Sequence, residues 1–306
     1  MEIKIIEKKV ASTDGIHQLS GKVYVPNCTI RGLFHVVHGM IEHVGRYDSF
    51  MKIIAAHGFV CFGFDNLGHG HTANNEDELG FIAEKSGHKL LCDDVNRFGA
   101  EMKKEYGEDL PYILMGHSMG SFIVRCTAAY YPELCDKLII MGTGGPVSIA
   151  KSGLALLTAI KTLRGPKHVS RFSEKLIMGG FNKGFEEGDG HAWLSTIEEV
   201  RVSFRSDKYC SFHFTVSAMH DLIKLNVDCN SPKFFEGIKK ELPILLVSGA
   251  DDPVGDYGKG VKKVYDNLKN SGHDDVTLKL YIGCRHEILN EICRAKVVRE
   301  IINFSI

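Results

Sequence analysis

A serine held between two glycines carries the strongest chemical signal in this chain. Gly116-His117-Ser118-Met119-Gly120 is a G-x-S-x-G pentapeptide, with the apolar run Tyr112-Ile113-Leu114-Met115 before it and an amphipathic stretch from Ser121 to Tyr131 after it. A strand that turns sharply into a helix presents such a serine as a nucleophile, and only very small residues fit two positions to either side. The helix start also offers free backbone N–H groups to a developing oxyanion. A hydroxyl is a poor nucleophile until a base takes its proton, and a neutral imidazole suits that task near neutral pH. The chain has 15 histidines to draw on. With the nucleophile on a strand-to-helix turn, its partners follow in the order Ser, acid, His. The apolar run Ile244–Gly249 leads into Ala250-Asp251-Asp252-Pro253, and Val276–Ile282 leads into Gly283-Cys284-Arg285-His286. Ser118, Asp252 and His286 are therefore the expected catalytic residues. Asp252 is preferred to Asp251 because the proline after it fixes the turn. The expected oxyanion donors are the N–H of Met119, next to the nucleophile, and that of Met40, in the turn His38-Gly39-Met40 that follows an early apolar run.

Other motifs point to different chemistry and fail on their own terms. His286-Glu287-Ile288-Leu289-Asn290 begins like the zinc-binding H-E-x-x-H, but asparagine stands where the second histidine must be. Gly68-His69-Gly70-His71 alternates histidines within a glycine turn, which does not easily bring both onto one ion, and reads as a structural turn. Gly142-Thr143-Gly144-Gly145-Pro146 lacks the lysine of a phosphate loop. Neither a metal nor a cofactor is expected.

The elements that must position these residues follow from hydrophobic periodicity. Leu33–His38, Phe59–Asp65, Tyr112–Gly116, Leu138–Gly142, Ile244–Gly249 and Val276–Ile282 are short apolar runs, each the length of a buried strand. Between them, Ser49–His57, Lys89–Tyr106, Ser121–Tyr131, Lys259–Lys269 and Glu291–Phe304 repeat apolar residues at helical spacing. Strand and helix in alternation predict an α/β fold with a mainly parallel sheet and helices on both faces. The interval 146–240 breaks the rhythm. It holds no clear strand, but an apolar stretch Leu154–Leu163, a glycine-rich section Gly179–Gly190 and a helical pattern Phe212–Leu225. The expected organisation is a core of residues 1–145 and 241–306 with residues 146–240 inserted as a helical cap over the carboxyl edge of the sheet.

Composition narrows the partners. The 37 Lys and Arg residues balance 38 Asp and Glu, and a net charge of -1 gives no field for nucleic acid. Nine cysteines stand singly with no C-x-x-C, as buried small hydrophobes do in a reducing compartment. The first residues lack the apolar core of a leader, and no run approaches a membrane span. A cytoplasmic location is expected.

The quoted motifs resemble those of the α/β-hydrolase fold monoacylglycerol lipases and bacterial lysophospholipases. His38-Gly39-Met40-Ile41-Glu42-His43-Val44-Gly45-Arg46-Tyr47 is similar to that family's HGxxEHxxRY segment, and Asp65–Thr72 to its D-x-x-G-H-G-x-S/T turn. Gly116–Gly120 reads GHSMG, Gly249–Gly255 resembles the acid loop, and Cys284–Glu291 resembles the RHE-x-LNE histidine loop. Trp193-Leu194-Ser195 and Tyr209-Cys210-Ser211-Phe212 resemble the cap of the lysophospholipase branch, with Ser211 where glycine is more usual. The resemblance implies an α/β-hydrolase fold and a serine hydrolase acting on acyl esters, with monoacylglycerol or lysophospholipid as substrate. It also implies a small-molecule partner, and an apolar cap that allows transient contact with a membrane or micelle. A short-chain carboxylesterase or an aminopeptidase on the same triad stays open, the latter with Glu186, Glu187 or Asp189 as the group that binds a substrate amine. A ligand-binding protein that keeps the fold without catalysis is a third reading.

Overall fold

The computed structural model describes residues 2–306. Its centre is an eight-stranded sheet in the order β1-β2-β4-β3-β5-β6-β7-β8. In chain order the elements are β1 Ile3–Ala11, β2 Gln18–Pro26, β3 Gly32–Val37, α1 Asp48–Ala56, β4 Phe59–Phe64, α2 Gly87–Tyr106, β5 Tyr112–His117, α3 Met119–Tyr130 and β6 Lys137–Met141. There follow α4 Ala150–Arg164, α5 Arg171–Met178, α6 Glu198–Ser206, α7 Val216–Cys229, α8 Pro232–Gly237, β7 Ile244–Gly249, α9 Lys259–Asn270, β8 Val276–Tyr281 and α10 Arg294–Ser305. From β4 to β8 every neighbouring pair is parallel.

The central strands are buried on both faces, and their side chains alternate between two apolar clusters. In β3, Leu33 and Val37 face the side covered by Phe98, Ile123 and Val264, while Phe34 and Val36 face Phe50, Met51 and Ile301. That two-residue period explains why these runs are apolar without interruption. The chain leaves β3 for β4 on one side and then crosses to β5 on the other. The carboxyl ends of β3 and β5 thus flank a crevice where the direction of winding reverses, the place where open α/β sheets bind ligands.

Two strands have no counterpart among the sequence expectations. β1 and β2 form an antiparallel hairpin, paired from Ile3 with Pro26 to Ala11 with Gln18, and β2 continues antiparallel to β4. β1 is an edge strand that alternates Ile with Lys and Glu, so it offers no apolar run. The signal was the Asp14-Gly15 pair, a hairpin dipeptide. Asp14 Oδ1 accepts from the amides of Ile16 and His17 at 2.8 and 2.9 Å and closes the turn.

Between β6 and β7 the chain is helical. α4, α7 and the glycine-rich section match expected features, while α5, α6 and α8 are too short for their periodicity to register. The pattern expected at Phe212–Leu225 begins later, at Val216, because Thr215 Oγ1 accepts from the Ala218 amide at 3.3 Å as the N-cap. Phe214, Val216, Met219, Leu225 and Phe234 join the same apolar core as α2 and α3, so this later half is welded to the sheet's helices. Leu163, Phe172 and Leu176, on α4 and α5, are exposed. No helix of the described residues is long and apolar enough to cross a membrane.

Candidate active site

Ser118 sits in the one-residue gap between β5 and α3, at φ 54° and ψ -121°. A non-glycine residue in that region costs about 1–3 kcal/mol and persists only where its surroundings impose it. Here the Ser118 amide donates to the Met141 carbonyl at 3.0 Å, and the Ser118 carbonyl accepts from the Ser121 amide and hydroxyl at 2.9 and 2.5 Å. The flanking glycines make room. A Cβ on Gly116 would lie 2.2 Å from the Gly120 carbonyl oxygen, and one on Gly120 would lie 2.2 Å from that of Val37. These contacts are with backbone, which cannot step aside.

His286 and Asp252 meet across the loops after β8 and β7. Both are buried, and His286 Nδ1 donates to Asp252 Oδ2 at 2.8 Å. An ionised carboxylate only accepts, so Nδ1 holds the proton and Nε2 is left as the basic nitrogen. Asp252 is itself oriented by the Val254 amide, 2.9 Å from Oδ1. Asp251 is exposed and joins the site only through its amide, which donates to the Cys284 carbonyl at 3.0 Å. Of the two aspartates, Asp252 is the one that reaches the histidine.

The turn after β3 lies against Ser118. A Cβ on Gly39 would fall 2.9 Å from Ser118 Cβ, and the Gly39 amide donates to Glu42 Oε1 at 2.5 Å. Among the described residues the amides of Met40 and Met119 donate to no protein acceptor. Met40, Ser118, Met119 and His286 all line one cavity of about 1280 Å³, whose cap side includes Leu176, Ile177, Phe181, Trp193 and Phe212.

Behind Ser118 and His286 lies a buried polar network to which the sequence assigns no role. Arg46 grips Glu287 with two bonds of 2.7 and 2.8 Å and reaches Glu42 at 3.1 Å. Glu42 Oε1 also accepts from Tyr47 at 2.9 Å and lies 3.3 Å from His117 Nδ1, while His117 Nε2 donates to the His286 carbonyl at 3.2 Å. Burial opposes ionisation of Glu42, but the hydrogen bond and charge of His117 and the charge of Arg46 outweigh it and hold the carboxyl well below 4.5. Burial likewise opposes a charged His117, and the Glu42 bond and charge, helped by Glu287, hold it above 6.5 instead. The two shifts agree on an ion pair. Glu42, Arg46, His117 and Glu287 all lie inside the motifs quoted above; what hid their roles is that charged residues ordinarily read as solvated surface.

The cap meets the histidine loop directly. The amides of His286 and Glu287 donate to the carbonyls of Trp193 and Leu194 at 3.4 and 2.8 Å, and the Trp193 ring lies 5.0 Å from that of His286. Two of the three acidic groups considered for binding a substrate amine are engaged elsewhere. Asp189 pairs with Arg201 and Arg205, both at 2.7 Å, and Glu187 with Arg285 at 2.5 Å, leaving Glu186 exposed. A mixed donor group, His43, Asp207 and Cys210, also joins core to cap within 4.8 Å. His43 Nε2 bonds Asp207 Oδ2 at 2.9 Å, and Asp207 Oδ1 caps the Tyr209 amide at 2.8 Å, so the carboxylate is satisfied by the protein.

Comparison with known proteins agrees with this architecture. A monoacylglycerol lipase of Mycolicibacterium smegmatis is 26% identical over 294 residues, covering 92% of this chain and 93% of that one. The monoglyceride lipase of Homo sapiens is 26% identical over 273 residues, covering 89% of this chain and 80% of its own. A highly thermostable carboxyl esterase from Bacillus coagulans, solved in complex with glycerol, superposes with a TM-score of 0.93 at 28% identity over 99% of this chain and 98% of that one. The family described as serine aminopeptidase, S33, matches residues 29–292. With the strand order, the sharp turn at Ser118 and that match taken together, the chain belongs to the serine aminopeptidase S33 family of α/β-hydrolases.

Proposed function

We propose that the protein is a serine hydrolase that cleaves carboxylic esters of acyl lipids, with monoacylglycerol or lysophospholipid as substrate. The observation that carries this reading is the shared wall: Ser118, His286 and the unengaged amides of Met40 and Met119 border one large cavity whose cap side is mostly apolar, with Arg171, Glu174 and Lys175 among its few charged residues. Ser118 attacks the ester carbonyl and His286 Nε2 takes its proton. Asp252 holds the imidazole tautomer and stabilises the imidazolium. The Met40 and Met119 N–H groups receive the negative oxygen of the tetrahedral intermediate. His286 then protonates the leaving alcohol, and a water activated by the same nitrogen releases the fatty acid from the acyl-enzyme. Residues 146–240 act as the cap that selects the acyl chain, with the exposed apolar residues of α4 and α5 available to a membrane or micelle surface. The protein works in the cytoplasm.

Relatives called monoacylglycerol lipase and monoglyceride lipase support this substrate class. Asp189 and Glu187 pair with arginines and Glu186 stands outside the cavity wall, which disfavours an aminopeptidase, whose substrate amine needs an unpaired acid in the site. The test is release of free fatty acid from monoacylglycerols, lysophosphatidylcholine and short esters, with an aminoacyl anilide alongside. Ser118→Ala should abolish release. Residual esterase activity in that variant would sink the triad, and a flat response across chain lengths would sink the lipid substrate.

A further inference from the structure

The turn Gly68-His69-Gly70-His71 reads in sequence as structure alone, yet His69 reaches the oxyanion loop. Ile41, next to Met40, stands at φ 53°. This is the left-handed region, which a β-branched residue adopts only under constraint. The constraint is visible: the Ile41 amide donates to His69 Nε2 at 3.3 Å, and both residues are buried. His69 Nδ1 lies 2.9 Å from the Leu67 carbonyl, which can only accept. The proton is therefore on Nδ1, and Nε2 carries the lone pair that the Ile41 amide needs. The ring has no freedom to leave this position. It packs edge-on against Phe212 and Phe214 of the cap, with ring centroids 5.4 Å away in each case, and against His38 at 5.1 Å. Burial holds the imidazole neutral, lowering its pKa to about 3, so the acceptor persists throughout the working range of an esterase. The turn that carries the ring is equally fixed, since Asp65 accepts from the Val44 and His71 amides at 2.8 and 2.7 Å.

We propose that His69 is a positioning residue for ester hydrolysis, holding Ile41 in its left-handed conformation so that the adjacent Met40 N–H faces the oxyanion. The inference rests on the triad and oxyanion assignment above and adds the residue that sets the donor's direction. A peptide plane links Met40 to Ile41, so release of Ile41 into the ordinary right-handed or extended regions rotates the loop at that point. The nucleophile and base are untouched, and of the wall of the acyl cavity only the segment Met40–Ile41 shifts.

The experiment uses the full chain and a chromogenic ester, with a trifluoromethyl ketone of matching chain length as the mimic of the tetrahedral state. His69→Phe keeps the ring and removes the acceptor. The expected result is a kcat about tenfold to a hundredfold lower, within the loss caused by removing an oxyanion donor, with KM little changed and the ketone bound more weakly by a similar factor. His69→Gln, which returns an acceptor oxygen, should recover much of the loss. The decisive arm is Ile41→Gly, because glycine takes this conformation without help. In that background His69→Phe should cost less than about threefold, whereas independent sites would show the full loss again. An undiminished loss would overturn the proposal, as would a wild-type kcat in a folded His69→Phe. If His69→Phe does not fold, His69→Gln and the Ile41→Gly pair decide. An active Ser118→Ala would instead refute the underlying triad.

Discussion

Arg46→Met tests the buried network behind the site. Arg46 makes two bonds to Glu287 and one to Glu42, and the three side chains are 12%, 4% and 5% exposed. Methionine fills similar volume but leaves the buried Glu287 carboxylate without its cation and Glu42 with His117 alone. Breaking a buried pair from one side costs about 3–5 kcal/mol, because the desolvated charge remains. At about 2–4 °C per kcal/mol for a chain approaching this size, the melting temperature should fall by roughly 6–20 °C at neutral pH. The pH dependence separates this cause from lost packing. The Glu42 pKa is lowered in the native state, so the stability it contributes is present above its ordinary 4.5 and is lost as pH falls through the depressed value. Without Arg46 the Glu42 carboxyl loses one of the charges that hold its pKa down and protonates more readily, which relieves part of the penalty. The gap between wild type and variant should therefore be widest at neutral pH and narrow below about pH 4.5. Calorimetric melting from pH 8 down to about pH 2.5 reads both effects. A gap under about 2 °C, or one that does not change with pH, would refute a buried ionic network and leave only packing.

Three further outcomes are expected. Gly120→Ala should abolish esterase activity or folding, because its Cβ meets the Val37 carbonyl at 2.2 Å, while Gly180→Ala, with nothing within 4 Å, should leave both unchanged; activity and circular dichroism check the contrast. His117→Gln should cost stability mainly at low pH. The His117 pKa is raised above 6.5 in the fold, so its contribution is complete below that value and is lost as pH rises through the raised one, and a melting difference that grows with pH would contradict this. Asp189→Asn should loosen the cap loop with little change in melting temperature, because partly exposed pairs contribute at most about 1 kcal/mol. Burial opposes its ionisation, but Arg201, the His191 amide and Arg205 hold Asp189 down to about 2 from 3.8, so wild type should acquire the same looseness only as pH falls toward that value. Limited proteolysis within 179–190 reports it, and equal cleavage rates in variant and wild type at neutral pH would count against the anchor.

The chain's own order of residues determined the parts of this protein whose cause is local. An uninterrupted apolar run such as Phe59–Phe64 can only be a strand buried on both faces, and a serine between glycines at a strand-to-helix junction can only be a sharp turn. The same logic pointed to Asp252 and His286, since each lies in the loop after its strand, and the fold brings the two within 2.8 Å. It did not find β1, whose alternating Lys and Glu carry no apolar run, nor the short helices of the cap, whose packing outweighs weak periodicity. It also assigned no task to His69, Arg46 or Glu287. Arg46 and Glu287 stand 241 positions apart, and only the sheet order brings the loops after β3 and β8 to one edge. Which nitrogen of His69 or His286 holds the proton, and whether a buried carboxylate stays ionised, depend on partners that sequence neighbours do not supply. Those properties arise only when folding removes water and leaves each charge with the partners that the tertiary structure provides.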